Sequence, residues 1–219
     1  MWCIAEITPE YRERMYRLLD LYAEDYDAAY PVICIDEKSK QLIEEARTPL
    51  PMKPGKPEKY DYEYIRRGTR NIFVAVEPKG GKRLVKVTKT RTKKDFARFV
   101  RTLVKTKYPE ATKIRIVLDN LNTHFATSFY ETFSEEEADE ILRKIEFYYT
   151  PKHASWLNMA EIEINVMSRE CLPARTADEN ELKRQINSWT KQRNKKRKQI
   201  VWKFTKQNAD QKLGQHYAP

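Results

Sequence analysis

Two aspartates stand where the sequence could place reactive groups. Asp36 follows PVICI and Asp119 follows KIRIVL. Each run is short, apolar and rich in β-branched residues, which predicts strands buried on both faces over 31–38 and 113–120. Each aspartate would then close its strand, where the chain leaves the core and side chains meet over a cleft. An ionised carboxylate there is costly unless it is hydrogen-bonded or bound to a cation. Two on neighbouring strands would offer hard oxygen ligands of the kind Mg²⁺ accepts beside water and phosphate. A third carboxylate on a nearby helix would allow two ions roughly 3.5 to 4 Å apart, one activating an attacking water or 3′-hydroxyl and one stabilising the leaving oxygen. The helix that starts near Ser155 offers Glu161 and Glu163. Two residues apart on a helix is about 200° of rotation, so these cannot both face one cleft. Glu37 is disfavoured because successive strand side chains point to opposite faces.

The elements that must carry these groups follow from cap and periodicity signals. Thr8 and Pro9 open a helix lined by Tyr11, Met15, Leu18, Leu19 and Tyr22. After the first aspartate, Pro49, Pro51, Pro54, Gly55 and Pro57 break regular structure, and YDYEYIRRGTRN alternates aromatic with charged residues. Residues 38–70 therefore read as a long loop leading into an exposed hairpin arm. Strands over 71–78 and 83–90 are joined by a turn at Gly80 and Gly81. Thr92 and Asp95 form a capping box for a helix over 93–107, with Phe96, Phe99, Val100, Leu103 and Val104 as its apolar stripe. Helical segments fill 126–144, EFYYT makes a strand at 146–150, and Asp178 with Glu181 caps a last helix. This order predicts an α/β fold, a mixed five-stranded sheet flanked by helices. Three parts are expected: a helical lead-in over 1–30, a core over 31–177 with the loop and hairpin inserted at about 38–70, and a C-terminal helix with a basic tail over 178–219.

Composition narrows the partners. The net charge is +10, and residues 183–206 hold ten Lys or Arg and no Asp or Glu. That stretch accounts for the whole excess and suits a polyanion such as nucleic acid. Arg193, Lys195, Lys196, Arg197 and Lys198 are its candidate DNA contacts, with Arg66, Arg67 and Arg70 on the arm. Lys152 adds a charge beside the third acid, and Trp156 could stack on a base or anchor its helix. No run approaches the roughly 18 to 20 apolar residues of a membrane span. The three cysteines, Cys3, Cys34 and Cys171, have no metal-ligand spacing and fit a reducing cytoplasm.

The spelling around the acids adds a family. CIDEKSKQL (34–42), LDNLNTH (118–124) and YTPKHASWLNMAEIE (149–163) resemble, in order, the three signature blocks of a DDE transposase. They are most similar to bacterial insertion-sequence enzymes of the mariner-like superfamily. KYDYEYIRRGTRNIFV and TKTRTKKDFARFV share the resemblance, which runs from about Trp2 to Tyr217. It implies an RNase H-like fold and a magnesium cofactor of two ions, with manganese as substitute. The catalytic metal ligands would be Asp36, Asp119 and Glu161, the last chosen because the third acid follows a Leu-Asn pair, here Leu157 and Asn158, by three positions. Asn120, Asn122 and His124, with Lys152 and His153, would support them. The activity implied is DNA strand cleavage and 3′-OH strand transfer. The partners would be double-stranded DNA, both element ends and target, and a second copy in a homodimer. The setting would be a bacterial or archaeal cytoplasm, at the nucleoid. A silent DNA-binding descendant and a stand-alone RNase H-like nuclease are the alternatives. Members carry helix-turn-helix units before the catalytic domain, and Asp36 arrives after only 35 residues, so a catalytic domain without that region is expected. The 41 residues between Asp119 and Glu161 exceed the usual spacing, and the acidic segment 134–146 reads as a surface insertion.

Overall fold

Thr8 starts the first helix as its sequence suggests. Its side-chain oxygen accepts from the Tyr11 N–H, and Pro9 takes the first position of α1 (Pro9–Ala23). The computed structural model describes residues 7–119, 126–172 and 175–218. Beyond α1 the chain builds a mixed five-stranded sheet from β1 (Val32–Glu45), β2 (Tyr64–Glu77), β3 (Lys82–Thr88), β4 (Ile114–Leu118) and β5 (Ile145–Tyr149). Their order is β3-β2-β1-β4-β5. The first three form an antiparallel meander, while β4 runs parallel to β1 and β5 parallel to β4.

Parallel neighbours need crossovers, and helices supply them. α2 (Lys93–Thr102) begins at the Thr92–Asp95 capping box and ends in a π turn over Leu103–Lys107. All five residues of its expected stripe are buried. Between β4 and β5 come α3 (Thr127–Tyr130) and α4 (Glu135–Arg143). This corrects the reading of residues 134–146 as a surface insertion. α4 is part of the crossover: Ala138 and Ile141 are fully buried against the sheet, and Glu137 pairs with Arg101 and Lys105 of the α2 region. Its acidic outer face masks how little of it is dispensable.

The arm also differs from expectation. β1 does not end near Asp36 but continues to Glu45, paired with β2 from Tyr64 onward, so the connecting loop is only 46–63. Apolar runs report burial, whereas backbone pairing outlasts burial here. In the outer ribbon Leu42 alone is buried, while Tyr64 to Thr69 of β2 are exposed.

The C-terminal third adds α5 (Ala160–Glu170), α6 (Glu179–Lys195) and α7 (Lys206–Leu213). Asp178 caps α6 by accepting from the Glu181 N–H. The chain then folds back onto α1. Lys206 pairs with Asp20 at 2.6 Å, the Tyr16 hydroxyl bonds Asp210, and Ile7 bridges Tyr217. Among the described residues no helix is long and apolar enough to cross a membrane.

The β2–β3 turn locks this return. Gly81 has φ +66°, and a Cβ there would stand 2.6 Å from the Arg197 carbonyl oxygen. Gly55 has φ +74° with nothing within 4 Å. Gly81→Ala is therefore expected to cost more than Gly55→Ala, with about 1–2 kcal/mol for the left-handed backbone in each and a clash on top at Gly81 alone. Urea denaturation checks this, and equal losses would contradict it.

Alternation along the strands sorts the core. Ile33, Ile35, Ile116 and Leu118 face α2, α3 and α4. Cys34 and Val117 face the other way, into a cluster with α1 and with Leu157, Met159 and Ala160 at the start of α5.

Candidate active site

That alternation aims both aspartates. Asp36 shares a face with Cys34, and Asp119 with Val117, because side chains two apart on a strand point the same way. Cys34 and Val117 are register partners on adjacent parallel strands. Each aspartate therefore stands two residues beyond one rung of the ladder, on the face that meets the start of α5. Strand position differs from expectation in one respect. Asp119 directly follows β4, but Asp36 is interior to β1, opposite Val74. What ends at Asp36 is the buried part of the strand.

The charges report the same proximity. Burial pushes the Asp36 carboxyl up to about 7, and Glu161, Glu37 and Asp119 add to the rise through their charges. The Glu37 N–H opposes them by donating to Asp36 Oδ1 at 2.7 Å. Like-charged carboxylates that are close and partly desolvated disfavour each other's ionised form. Among the described residues no three His, Cys, Asp or Glu side chains are already gathered in a metal-binding group. The donor set nevertheless fits a divalent ion: Asp36, Asp119 and Glu161 bring only hard carboxylate oxygens, and a cation would offset the burial and the repulsion that raise Asp36.

Glu163 takes a different place. It is 0% exposed and held by two arginines, Arg83 of β3 at 2.9 and 3.1 Å and Arg193 of α6 at 3.0 and 3.1 Å. Arg83 is also 0% exposed and bonds the carbonyls of Gly81 and Lys198. Glu163 is thus a buried tie among β3, α5 and α6. Gripped on that side, α5 turns Glu161, about 200° away, in another direction.

Sequence reasoning missed several supports. The buried Tyr22 hydroxyl donates to the Leu157 carbonyl at 2.8 Å. In the sequence Asn158 serves only to set the register of the third acid, yet its buried amide donates to the Ile35 carbonyl at 2.8 Å. Arg83 carried no signal, because a basic residue at the start of a strand looks like surface.

The basic candidates separate into groups. Lys152 and His153 are exposed just after β5, at the same end of the sheet as Asp119, and His153 has φ 62°. Arg66, Arg67 and Arg70 lie on β2 further along from Val74 in the direction of the arm. Arg66 stands over the Tyr64 ring at 5.9 Å, Arg67 pairs with Glu44, and Arg70 pairs with Glu179 at 2.5 Å. Arg193 turns inward to Glu163 and is only 17% exposed. Lys195 to Lys198 are exposed, but they pack by the β2–β3 turn, at the end where β1 begins. The structure does not bring that cluster to the carboxylates. Trp156 is half-exposed and stacks on Trp202 at 6.5 Å, with Phe204 edge-on at 5.4 Å, so it holds the returning C-terminal segment. Asn120, Asn122 and His124 lie outside the described residues.

A mixed sheet with an antiparallel meander followed by two parallel strands is an RNase H-like arrangement. A family model of the DDE superfamily endonucleases matches residues 31–183, and the chain belongs to that family. Membership implies a divalent metal ion. No curated protein matches the chain. Among solved structures it is similar to the Mos1 transposase paired-end complex with left transposon end, at 16% identity and TM-score 0.58 over 87% of this chain and 57% of that one. The mariner Mos1 paired-end complex with Mg gives 16% identity and TM-score 0.59 over 100% and 66%. The Mos1 strand transfer complex gives 14% and 0.57 over 87% and 57%. At these identities the likeness shows the shared fold. The chain spans less than two thirds of the length of these Mos1 chains.

Proposed function

We propose that this chain is the catalytic domain of a DDE transposase, which cuts DNA at the ends of a mobile element and joins the freed 3′-hydroxyl to target DNA. The observation that carries this reading is the register on the sheet. Asp36 and Asp119 stand two residues past the Cys34–Val117 pair, on the face where α5 presents its first turn and Glu161. In this reading Asp36, Asp119 and Glu161 hold Mg²⁺, with Mn²⁺ as substitute, as one or two ions. A bound divalent ion there supplies charge neutralisation at the scissile phosphate and a more acidic attacking water or hydroxyl.

The chain's own residues do the rest. The Glu37 N–H fixes the Asp36 carboxylate from below. In this reading the exposed Lys152 would meet a phosphate at the carboxylate end of the sheet, and Arg66 and Arg67 would meet duplex further out along the arm. Surface ion pairs such as Arg67–Glu44 contribute little to stability, so an arginine can leave its carboxylate for a phosphate at small cost. Lys195 to Lys198 would hold DNA away from the cut site, through its backbone and with strong salt dependence. A second copy of the chain, one per element end, fits a reaction that brings two element ends to one target.

A strand-transfer assay tests this. The chain is incubated with Mn²⁺, a supercoiled plasmid and an oligonucleotide duplex ending in a free 3′-hydroxyl, with an RNA–DNA hybrid as rival substrate. Covalent joining of the oligonucleotide to the plasmid is expected. Hybrid cleavage without joining would replace the transposase reading with a stand-alone RNase H-like nuclease. Binding with neither reaction would indicate a silent DNA-binding descendant.

A further inference from the structure

The start of α5 lacks an ordinary cap. Met159 stands in the N-cap position with helical backbone angles and no side-chain hydrogen bond to the first turn. The polar support comes from one residue earlier. Asn158 Oδ1 accepts from the Ala160 N–H at 3.1 Å, and its backbone carbonyl accepts from the Glu161 N–H at 3.1 Å. The other half of the amide points across the fold, where Nδ2 donates to the Ile35 carbonyl at 2.8 Å. Asn158 is 1% exposed.

The orientation of that amide is set by its partners. A flipped amide would turn its oxygen to the Ile35 carbonyl and its NH₂ to the Ala160 N–H, losing both bonds. The place of the strand bond also matters. Pairing between β1 and β4 stops at Cys34 and Val117, and the Ile35 carbonyl is the next acceptor on β1, in the peptide that leads into Asp36. One side chain therefore joins the peptide before Asp36 to the helical turn that bears Glu161, across 123 residues of sequence. A short side chain with a donor and an acceptor in one plane is required. Aspartate lacks the donor, and serine is too short to reach the strand while it caps the helix.

We propose that Asn158 is a positioning residue: its amide fixes the separation of Asp36 and Glu161 and so sets the affinity of the carboxylate site for divalent metal. This rests on the assignment of those carboxylates as metal ligands. Groups that orient ligands from behind typically change metal affinity by about 10–100-fold when removed.

The test is a Mn²⁺ titration, followed by the electron paramagnetic resonance of free Mn²⁺, on the full chain and on Asp36→Asn, Asn158→Ala and Asn158→Ser. It is run at a temperature where circular dichroism shows each protein folded. Serine keeps an acceptor for the Ala160 N–H and loses the strand bond, so it separates helix capping from positioning. The expected result is Mn²⁺ binding about 10–100-fold weaker in both Asn158 variants, with Asn158→Ser unfolding below wild type but above Asn158→Ala because it keeps the helix cap. Wild-type Mn²⁺ affinity in the Asn158 variants, while Asp36→Asn loses it, would overturn the positioning role alone. Equal binding by wild type and Asp36→Asn would overturn the metal-site reading, and the role of Asn158 with it. Failure of both Asn158 variants to fold would also overturn the proposal, leaving a core hydrogen bond.

Discussion

Glu163→Gln is expected to cost about 3–5 kcal/mol of folding stability, whereas Glu161→Gln, two residues earlier, is expected to cost nothing measurable. The asymmetry follows from what each carboxylate touches. Glu163 is fully buried between Arg83 and Arg193, and the amide would remove the only charge among the described residues that faces both guanidinium groups at bonding distance. Arg83 is fully buried, so a cation would be left in the interior without a counter-charge. Glu161 is partly exposed in the first turn of α5, and its charge adds to the rise of the Asp36 carboxyl. Urea denaturation of the two variants decides the matter. A Glu163→Gln midpoint equal to wild type would show that the tie among β3, α5 and α6 is not needed. A large loss in Glu161→Gln would show that the two glutamates are assigned the wrong way round.

In metal-free protein, Asp36→Asn is expected to be more stable than wild type at pH 8, by on the order of 1–3 kcal/mol, and to lose most of that advantage near pH 4. The sign follows from the raised carboxyl. Its ordinary value is 3.8 and its folded value about 7, so the folded state holds the proton more tightly than the unfolded one. The contribution of Asp36 to stability is therefore full below about 4 and falls away as pH rises to about 7. Above that, the ionised carboxylate opposes folding. Asparagine keeps an oxygen for the Glu37 N–H and carries no charge. Added Mn²⁺ should reverse the order, stabilising wild type by binding the folded state and leaving the variant unmoved. Thermal unfolding at pH 4, 6 and 8, with and without Mn²⁺, checks both parts. A pH-independent difference would contradict the buried, mutually repelling carboxylates.

Much of the frame was legible because its signals are local. The Thr8 cap, the Thr92–Asp95 box and the Asp178 cap each act within a few residues, and each starts a helix where expected. The apolar runs around Ile33–Ile35 and Ile114–Leu118 located the two central strands for the same reason. What was not legible depends on distant partners. The Cys34–Val117 register, which aligns the aspartates, joins segments far apart in the chain. Glu163 looked like a rival ligand because its arginines lie 80 and 30 residues away. The length of β1 is not legible because six of the eight residues from Lys38 to Glu45 are polar, and only the facing β2 shows that the backbone is paired. α4 reads as an insertion because its acids outnumber Ala138 and Ile141, the two residues that bury it. Among the basic residues, sequence could show charge but not employment, so Arg193 was indistinguishable from Lys195 to Lys198.

Mn²⁺-dependent nicking of supercoiled plasmid DNA, by wild type and by Asp36→Asn, Asp119→Asn and Glu161→Gln, tests the shared carboxylate site most directly. Wild type should nick only with a divalent ion, and each variant should fall by about 10³-fold or more while remaining folded, because the three acids act as one unit. Wild-type nicking by any one of these variants would contradict the account.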